Sequence, residues 1–187
     1  NITLSLIFDW IANFAYKLNK FMNIGNKTVL HKVNIPLNSP APFFSGENQD
    51  GKMVSLDDFK GKKLCLVFYP ADMTPTCTVE VCNIRDGYEE LTAMGIHVLG
   101  ISPDGQAKHQ KFHSRHQLPF DLIVDEDLKI IKAYDIWGLK QFMGKIYDGV
   151  HRTSVLIDEN GKIFHVITQV KSKNHTHQIL EAFKNYK

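Results

Sequence analysis

One segment near the middle of the chain limits the possible folds more than any other. Residues 63–69, with the sequence KLCLVFY, form a nearly continuous apolar run of strand length, and Pro70 ends it. A strand without an alternating polar face is covered on both sides, as the central strand of an α/β sheet is. Because proline cannot donate to a ladder of backbone hydrogen bonds, the chain leaves the sheet here. The segment therefore predicts a central strand in a sheet with helices on both faces.

The rest of the pattern agrees with an α/β domain in which strands and helices alternate. Asp50-Gly51 predicts a turn between two short extended pieces. The further predicted elements are a helix over 78–94, a strand over 96–102, a helix over 105–117, a strand over 120–124, a short helix over 128–134, a hairpin with strands over 153–158 and 162–168, and a final helix over 174–183. No internal repeat interrupts this order, which indicates one domain.

The composition argues against several classes of protein. The formal net charge is +2 and the basic residues are scattered, which does not indicate a nucleic-acid-binding protein. Three cysteines, Cys65, Cys77 and Cys82, are too few and too closely spaced for the disulfide framework of a small secreted domain. Their odd number indicates a reducing compartment, so we expect a cytoplasmic protein. Cys65 lies inside the predicted central strand and is expected in the core.

The first 34 residues form a separate segment. Apolar residues over 2–22 recur at helical spacing, but Asp9 and two lysines interrupt them, which predicts an amphipathic helix and not a membrane span. No basic region precedes an apolar core, which disfavours a signal peptide. Three roles stay open: packing on the domain or a neighbour, a dispensable extension, or membrane-surface contact or targeting. We expect an extension over 1–34, this helix plus a linker, then the main domain over 35–187, without stable membrane insertion.

Residues 70–82, with the sequence PADMTPTCTVEVC, carry the pattern that most indicates chemistry. They lie where the buried strand passes into the next helix. Thr74 suits the N-cap and Pro75 the first helical position, where a missing N–H loses no intrahelical partner. Cys77 then falls in the first turn, where unpaired N–H groups and the helix dipole favour a thiolate, the form that attacks. Without further context, an inert small hydrophobic residue is the more frequent interpretation of such a cysteine.

A second cysteine five residues further on changes this balance. On an intact helix, the Cα atoms of Cys77 and Cys82 would be about 8–9 Å apart, beyond the roughly 4.4–6.8 Å that a disulfide needs. If they pair, the first turns of the helix must unwind, which suits a catalytic cycle better than a structural crosslink. The chain has no C-x-x-C dithiol, and its histidines lie too far along the chain to favour a structural zinc site.

The motif Pro70-x-x-x-Thr74-x-x-Cys77 resembles the peroxiredoxin signature, and its surroundings resemble the PrxQ subfamily, also called bacterioferritin comigratory protein. The residues that carry this resemblance are Phe68-Tyr69-Pro70, Thr74-Pro75-Thr76-Cys77-Thr78, Cys82, Arg85-Asp86, Trp137-Gly138, Phe142-Met143-Gly144-Lys145, Tyr147-Asp148-Gly149, His151-Arg152, Leu156-Ile157-Asp158, Gly161-Lys162 and Asn174-His175. The resemblance runs from Ile35 to the C-terminus. Thr76 departs from the usual glycine of the subfamily, and an early helical position tolerates its side chain.

This resemblance implies a thioredoxin-like α/β fold, with a central mixed β-sheet flanked by helices, and a role for each matched residue. Cys77 would be the peroxidatic cysteine, Thr74 would donate from its hydroxyl to the thiolate or the peroxide, and Pro70 would shield the pocket. Arg152 would hold the thiolate and polarise the O–O bond, because a fixed cation stabilises the negative charge that develops on the leaving oxygen.

The resemblance also implies how the cycle closes. Cys82 would be the resolving cysteine and would form an intramolecular disulfide with Cys77, the atypical 2-Cys mechanism, which thioredoxin or a thioredoxin-like reductant would reduce. The substrates would be hydrogen peroxide and organic hydroperoxides, without metal, haem or flavin. Resolution within one subunit needs no second subunit, so we expect a monomer. Two alternatives stay open: a peroxidase in which an external thiol resolves Cys77, and a redox-responsive binding or holdase protein that uses the two cysteines as a switch.

Several other polar residues receive a structural interpretation. His109, His113 and His116 recur at near-helical spacing and are interpreted as part of a polar surface helix, not as a metal-binding face. His175 is interpreted as a residue of the cap region of the last helix. Glu80, one turn beyond the first cysteine of the motif, is a candidate for ordering the start of its helix.

Overall fold

The computed structural model describes residues 29–186, and the strands in this part of the chain form one central sheet and two small hairpins. The strands are β1 (Ser45–Glu47), β2 (Met53–Ser55), β3 (Lys63–Phe68), β4 (Ile96–Ser102), β5 (Leu122–Val124), β6 (Trp137–Phe142), β7 (Lys145–Val150), β8 (Thr153–Ile157) and β9 (Ile163–Ile167). The helices are α1 (Pro75–Asp86), α2 (Tyr88–Ala93), α3 (Gln106–His116), α4 (Lys129–Ala133) and α5 (His175–Lys184), and a 3-10 helix spans Leu56–Phe59. None of these described helices has the length and hydropathy to cross a membrane.

Strand β3 is the central strand of a five-stranded mixed sheet with the order β5-β4-β3-β8-β9. It pairs in parallel with β4 and antiparallel with β8. Its side chains alternate between two core clusters: Cys65 and Val67 face one, and Leu64, Leu66 and Phe68 face the other. All five are fully buried. The prediction of a central strand covered on both faces is therefore confirmed.

Helices lie on both faces of this sheet. On one face, α1, α2, α3 and α5 contribute to a shared core that includes Val81, Leu91, Phe112 and Ile179. On the other face, α4 packs its buried Ile131 together with apolar residues from the chain before β1. Because each face of the sheet buries an apolar layer, neither face is left to solvent. The architecture is the predicted thioredoxin-like α/β fold.

The single helix predicted over 78–94 is two helices in the structure. Helix α1 ends at Asp86 and α2 begins at Tyr88, with Gly87 between them. The first turn of α5 packs against this break: Thr176 donates from its hydroxyl to the Asn83 carbonyl oxygen at 2.8 Å. A Cβ atom at Gly87 would collide with the Thr176 side chain. The break therefore depends on a tertiary contact that the helical periodicity of the sequence does not reveal.

The hairpin of β6 and β7 was absent from the elements predicted from the sequence. Its turn consists of Met143 and Gly144, both in the left-handed region with φ of 48° and 79°. Methionine rarely occupies that region, so the sequence carries only half of the usual turn signal. The chain before β1 runs beside this hairpin, where the His31 N–H donates to the Leu139 carbonyl oxygen at 2.8 Å. The predicted helix over 2–22 lies outside the described residues, and the division at residue 35 stays a prediction.

Candidate active site

The loop after β3 and the first turn of α1 place Cys77 as the sequence predicts. Thr74 occupies the N-cap position with an extended backbone, and Pro75 is the first helical residue. The Thr74 hydroxyl does not cap the helix; it donates to the Ala71 carbonyl oxygen at 3.0 Å, within the loop. Cys77 is in the first turn and is 1% exposed. Its sulfur therefore lies at the positive end of the helix dipole and away from bulk water.

Arg152 contacts this sulfur from the neighbouring strand. It directly precedes β8, in which Thr153 pairs with Phe68 at the end of β3. The sheet register thus brings residue 152 beside the loop that follows β3. The Arg152 Nη2 atom donates to Cys77 Sγ at 3.1 Å, so a permanent cation faces the sulfur.

A buried acid holds the other side of the Arg152 guanidinium. Glu80 is fully buried on α1, and its Oε2 atom forms an ion pair with Arg152 Nη1. Its Oε1 atom lies 3.1 Å from His175 Nδ1, and His175 Nε2 lies 2.9 Å from the Ser154 hydroxyl. We call these four residues, Glu80, Arg152, Ser154 and His175, the Glu80 cluster. His175 is the first residue of α5, directly after the N-cap residue Asn174, as the sequence predicts, but its ring is also fully buried and lies against the acid.

In the Glu80 cluster the negative charge of Glu80 is balanced by Arg152, and His175 is neutral. Burial lowers the pKa of His175 to about 4, and the positive charge of Arg152 lowers it in the same direction. The ring is therefore neutral at pH 7. A neutral ring that carries its proton on Nδ1 suits both neighbours, because its N–H then faces Glu80 Oε1 and its Nε2 atom accepts from the Ser154 hydroxyl. Glu80 and Arg152 are then the paired charges, and the guanidinium is aimed at Cys77.

A second buried group fixes the loop itself. Asp72 is 2% exposed and accepts a hydrogen bond from the Tyr69 hydroxyl at 2.7 Å, while its other oxygen lies 2.7 Å from His109 Nδ1. His109 Nε2 donates to the Ile123 carbonyl oxygen at 3.1 Å. The Asp72 N–H donates to Asp104 at 2.5 Å. We call Tyr69, Asp72, Asp104 and His109 the Asp72 cluster.

The interpretation of all three α3 histidines as surface residues was wrong for His109, which is fully buried. His109 and Phe112 are the two buried residues of α3, three positions apart on its inner face. In the same way Glu80 lies on the inner stripe of α1 with Cys77, Val81 and Ile84. The burial of Glu80 and His109 could therefore have been predicted from the sequence, because each lies at helical spacing from the apolar residues of its helix.

Cys82 lies within α1, five residues after Cys77, and is half-buried. All three cysteines are free thiols. The helix is continuous from Pro75 to Asp86, so a bond between the two α1 cysteines requires local unwinding. Cys65 is fully buried in β3, as predicted, and burial raises the pKa of its thiol.

A cleft of about 510 Å³ opens beside the Arg152 guanidinium. Lys140 and His151 also line it, and the Lys140 ammonium donates to the Val150 carbonyl oxygen at 2.7 Å. Burial lowers the pKa of Lys140, and nearby Cys77 acts in the opposite direction. Pro70, which was predicted to shield the pocket, is half-buried at the end of β3. The cleft gives solvent a route to the Arg152 side of the site.

The sequence of this chain is similar to those of known proteins. The model of the AhpC/TSA family matches residues 37–166. Peroxiredoxin Bcp of Escherichia coli (strain K12) is 46% identical over 146 residues, which are 78% of this chain and 94% of that protein. Peroxiredoxin Bcp of Bacillus subtilis (strain 168) is 40% identical over 153 residues, which are 82% of this chain and 98% of that protein.

Solved structures give the same result for the fold. Peroxidoxin BcpB from Mycobacterium tuberculosis superposes with a TM-score of 0.72 at 26% identity, over 82% of this chain and 99% of its own. The bacterioferritin comigratory protein of Xanthomonas campestris, solved as trapped intermediate and ligand complexes that address alkyl peroxide reduction, has a TM-score of 0.73 at 27% identity, over 82% and 98%. The predicted thioredoxin-like fold and the predicted family resemblance are both confirmed.

Proposed function

This chain belongs to the AhpC/TSA family, in the PrxQ or bacterioferritin comigratory protein group of peroxiredoxins, and on that premise we propose that it reduces peroxides through a Cys77–Cys82 cycle. Membership makes it a thiol peroxidase, an oxidoreductase that consumes a peroxide and a thiol reductant. The identity of the reacting cysteines, their roles and the reductant are the parts that the proposal adds.

The contact between Arg152 Nη2 and Cys77 Sγ carries the proposal. The Cys77 thiolate attacks one oxygen of a hydroperoxide, so that an S–O bond forms and the O–O bond breaks. The products are a sulfenic acid on Cys77 and an alkoxide or hydroxide, which takes a proton from water. Arg152 stabilises the negative charge that develops on the leaving oxygen, and its ion pair with Glu80 holds it in place for that task.

Thr74 and Pro70 complete the proposed site. The Thr74 hydroxyl has one proton, which the Ala71 carbonyl oxygen holds in this structure. In this rotamer the hydroxyl can therefore only accept a further hydrogen bond, and it donates to a peroxide oxygen only after its proton turns away from Ala71. Pro70 has no N–H to hydrate, and in this proposal its ring shields the pocket.

The second half of the proposed cycle uses Cys82. Its thiolate attacks the sulfur of the Cys77 sulfenic acid, the S–S bond forms, the S–O bond breaks and the released hydroxide becomes water. Because both residues belong to one regular helix, the first turns of α1 must unwind before the sulfurs meet. A thioredoxin-like dithiol then reduces the disulfide by two electrons and becomes a disulfide itself. The alternative, an external thiol that attacks Cys77 directly, leaves Cys82 without a role.

Two substitutions test this cycle. Cys77→Ser should abolish peroxide consumption. Cys82→Ser should keep the rate of sulfenic acid formation within about threefold, because it leaves Arg152 and the helix start intact, but should lose turnover with a thioredoxin-like reductant. Stopped-flow reaction with stoichiometric hydrogen peroxide, followed by intact mass and peptide mapping, measures both steps. Cys65→Ala, a buried cysteine outside the site, is the matched control and should keep the whole cycle.

The outcomes separate the competing interpretations. Unchanged turnover of Cys82→Ser would establish the external-thiol mechanism. Oxidation of the unmodified protein at the pace of an ordinary thiol would refute the proposed Cys77 chemistry and favour the redox-responsive binding protein, although the apolar segment that motivated that interpretation lies outside the described residues. We also propose a monomer, since the cycle needs no second subunit, and a cytoplasmic location, where reduced thiols persist. Light scattering of the reduced and oxidised protein checks the first of these.

A further inference from the structure

The thiol of Cys82 contacts a histidine on another helix. Cys82 faces α3, and its Sγ atom lies 3.7 Å from His116 Nδ1, within hydrogen-bonding distance for sulfur. Cys82 and His116 are both half-buried. A histidine nitrogen without a proton accepts from a thiol, and the sulfur is then prepared to lose that proton.

Contacts from both helices fix the position of His116. On α1, the Arg85 Nη1 atom donates to the His116 carbonyl oxygen at 2.9 Å. On α3, the ring of Phe112 meets the His116 ring edge-on, with centroids 5.0 Å apart. Helix α3 ends immediately afterwards, at Gln117 in the left-handed region. The ring is therefore held toward α1 and is not a free surface side chain.

The charges around His116 keep its ring neutral. Partial burial lowers the pKa of His116, and the positive charges of Arg115 and Arg85 lower it further. The acid next to Arg85 on α1, Asp86, is engaged by Arg85, with Arg85 Nη2 and Asp86 Oδ1 2.7 Å apart. Arg115 lies on the same helix as His116, and Arg85 and Cys82 contact it from α1. At pH 7 the Nδ1 lone pair is therefore available to a proton.

We propose that His116 is the general base that deprotonates Cys82 for formation of the disulfide. This inference rests on the proposed role of Cys82 as the resolving cysteine. The proton of Cys82 Sγ passes to His116 Nδ1 as the sulfur leaves this contact, and the thiolate forms close to the Arg85 guanidinium. After α1 unwinds, the thiolate attacks the sulfur of the Cys77 sulfenic acid, the S–S bond forms and the S–O bond breaks. The leaving hydroxide takes the proton of the imidazolium through water, which restores neutral His116 and balances the step.

The proposal predicts a characteristic dependence on pH. An ordinary thiol is only a few per cent ionised at pH 7, so a base that removes its proton accelerates attack by about tenfold there. Above about pH 9 an ordinary free thiol is already largely ionised in solution, so the acceleration by a base should disappear there. A histidine that only supports the packing of α3 on α1 would produce a rate defect of the same size at every pH.

Two measurements with His116→Gln test this inference. In the first, single-turnover oxidation from pH 6 to 9.5 separates sulfenic acid formation from disulfide formation. Disulfide formation should be about tenfold slower than in the unmodified protein at pH 7 and equal to it above pH 9. In the second, the alkylation rate of Cys82 is followed over the same range in a Cys77→Ser background, and its midpoint should move upward. His113→Gln, a half-buried histidine of the same helix, is the matched control and should change neither result by more than about twofold.

Each failure has its own signature. Equal disulfide formation at pH 7, or a defect that persists unchanged to pH 9.5, overturns the role of His116 as a base. If the unmodified protein forms no Cys77–Cys82 disulfide, the proposed function fails instead, and the alkylation profile still decides whether His116 removes the proton of Cys82.

Discussion

Two buried polar clusters flank the start of α1, and they differ in what they hold. The Glu80 cluster ends in the Arg152 guanidinium, which contacts Cys77 Sγ. The Asp72 cluster contacts no sulfur; it ties the loop after β3 to α3 through His109 and to the end of β4 through Asp104. The first cluster therefore aims a charge at the reacting atom, and the second fixes the backbone from which the helix begins. A buried polar cluster near a reactive group can therefore either take part in the chemistry or hold the backbone in place. The distinction is whether the last residue of the cluster contacts the reacting atom.

The largest expected effect is on stability, from removing the acid of the Asp72 cluster. Asp72→Ala leaves the Tyr69 hydroxyl and the His109 ring without their shared acceptor, and we expect the free energy of unfolding to fall by about 3–5 kcal/mol. Urea unfolding measures this loss. Asp57→Ala is the matched control. It removes an exposed ion pair with Lys60, and such a surface pair contributes less than about 1 kcal/mol to stability.

Asp72→Ala also tests whether the two clusters have different roles, chemistry for the Glu80 cluster and loop position for the Asp72 cluster. Under conditions where Asp72→Ala remains folded, its rate of Cys77 oxidation should stay within about tenfold of the unmodified protein, since Arg152 keeps its contacts. A loss of stability below about 1 kcal/mol would show that the Asp72 cluster does not anchor the loop. A rate as low as that of an Arg152 variant would remove the distinction between the two clusters.

The next effect is on chemistry, from changing the cation of the Glu80 cluster. Arg152→Lys keeps the positive charge but loses the planar fork that reaches both Glu80 and Cys77. We expect the second-order rate of Cys77 oxidation to fall about 100-fold, which corresponds to about 3 kcal/mol of transition-state stabilisation. Arg115→Lys makes the same change at an exposed position of α3 and should leave the rate unchanged.

The stability of the Arg152 variant sharpens the comparison. A lysine still pairs with the buried carboxylate of Glu80, so the free energy of unfolding should change by less than the loss in Asp72→Ala. If Arg152→Lys instead unfolds the protein as readily and retains a normal oxidation rate in its folded fraction, the Glu80 cluster is structural and the contact with Cys77 is incidental.

The comparison also explains what the sequence could and could not predict. Local patterns were sufficient for β3, for the position of Cys77 at a helix start, and for Arg152 at the start of a strand. The family resemblance, carried by contiguous motifs, assigned their roles. All of these depend on residues close to one another in the chain, where hydrophobic period, proline and capping positions act.

The partners of the buried polar residues could not be predicted in this way. Asp72 and His109 are 37 residues apart, and only the packing of α3 on the sheet brings them together. His175 meets Glu80 because the first turn of α5 packs on α1, the same contact that divides the predicted long helix at Gly87. A polar residue on an otherwise apolar helix face is a local signal of burial, but it does not name its partner.

The smallest effect is a dependence of stability on pH that belongs to the Glu80 cluster. The pKa of His175 is about 4 in the folded protein and about 6.5 in an unfolded chain. Below pH 6.5 the unfolded chain therefore binds more protons than the folded protein, so the contribution of this residue to stability is present above pH 6.5 and is lost as pH falls toward 4. Between pH 7 and 5, the unmodified protein should lose about 2 kcal/mol through His175 alone.

His175→Gln isolates that loss, because glutamine does not titrate and its amide can contact both Glu80 and Ser154. The variant is expected to be less stable than the unmodified protein at pH 7, and the difference should shrink by about 2 kcal/mol by pH 5 in urea unfolding series. His177→Gln, an exposed histidine of the same helix, should leave the pH dependence unchanged. Parallel stability profiles for His175→Gln and the unmodified protein would mean that His175 titrates alike in both states. Below about pH 6.5 the ring would then be charged beside Glu80, Arg152 would share its counter-ion there, and the guanidinium would be less firmly held against Cys77.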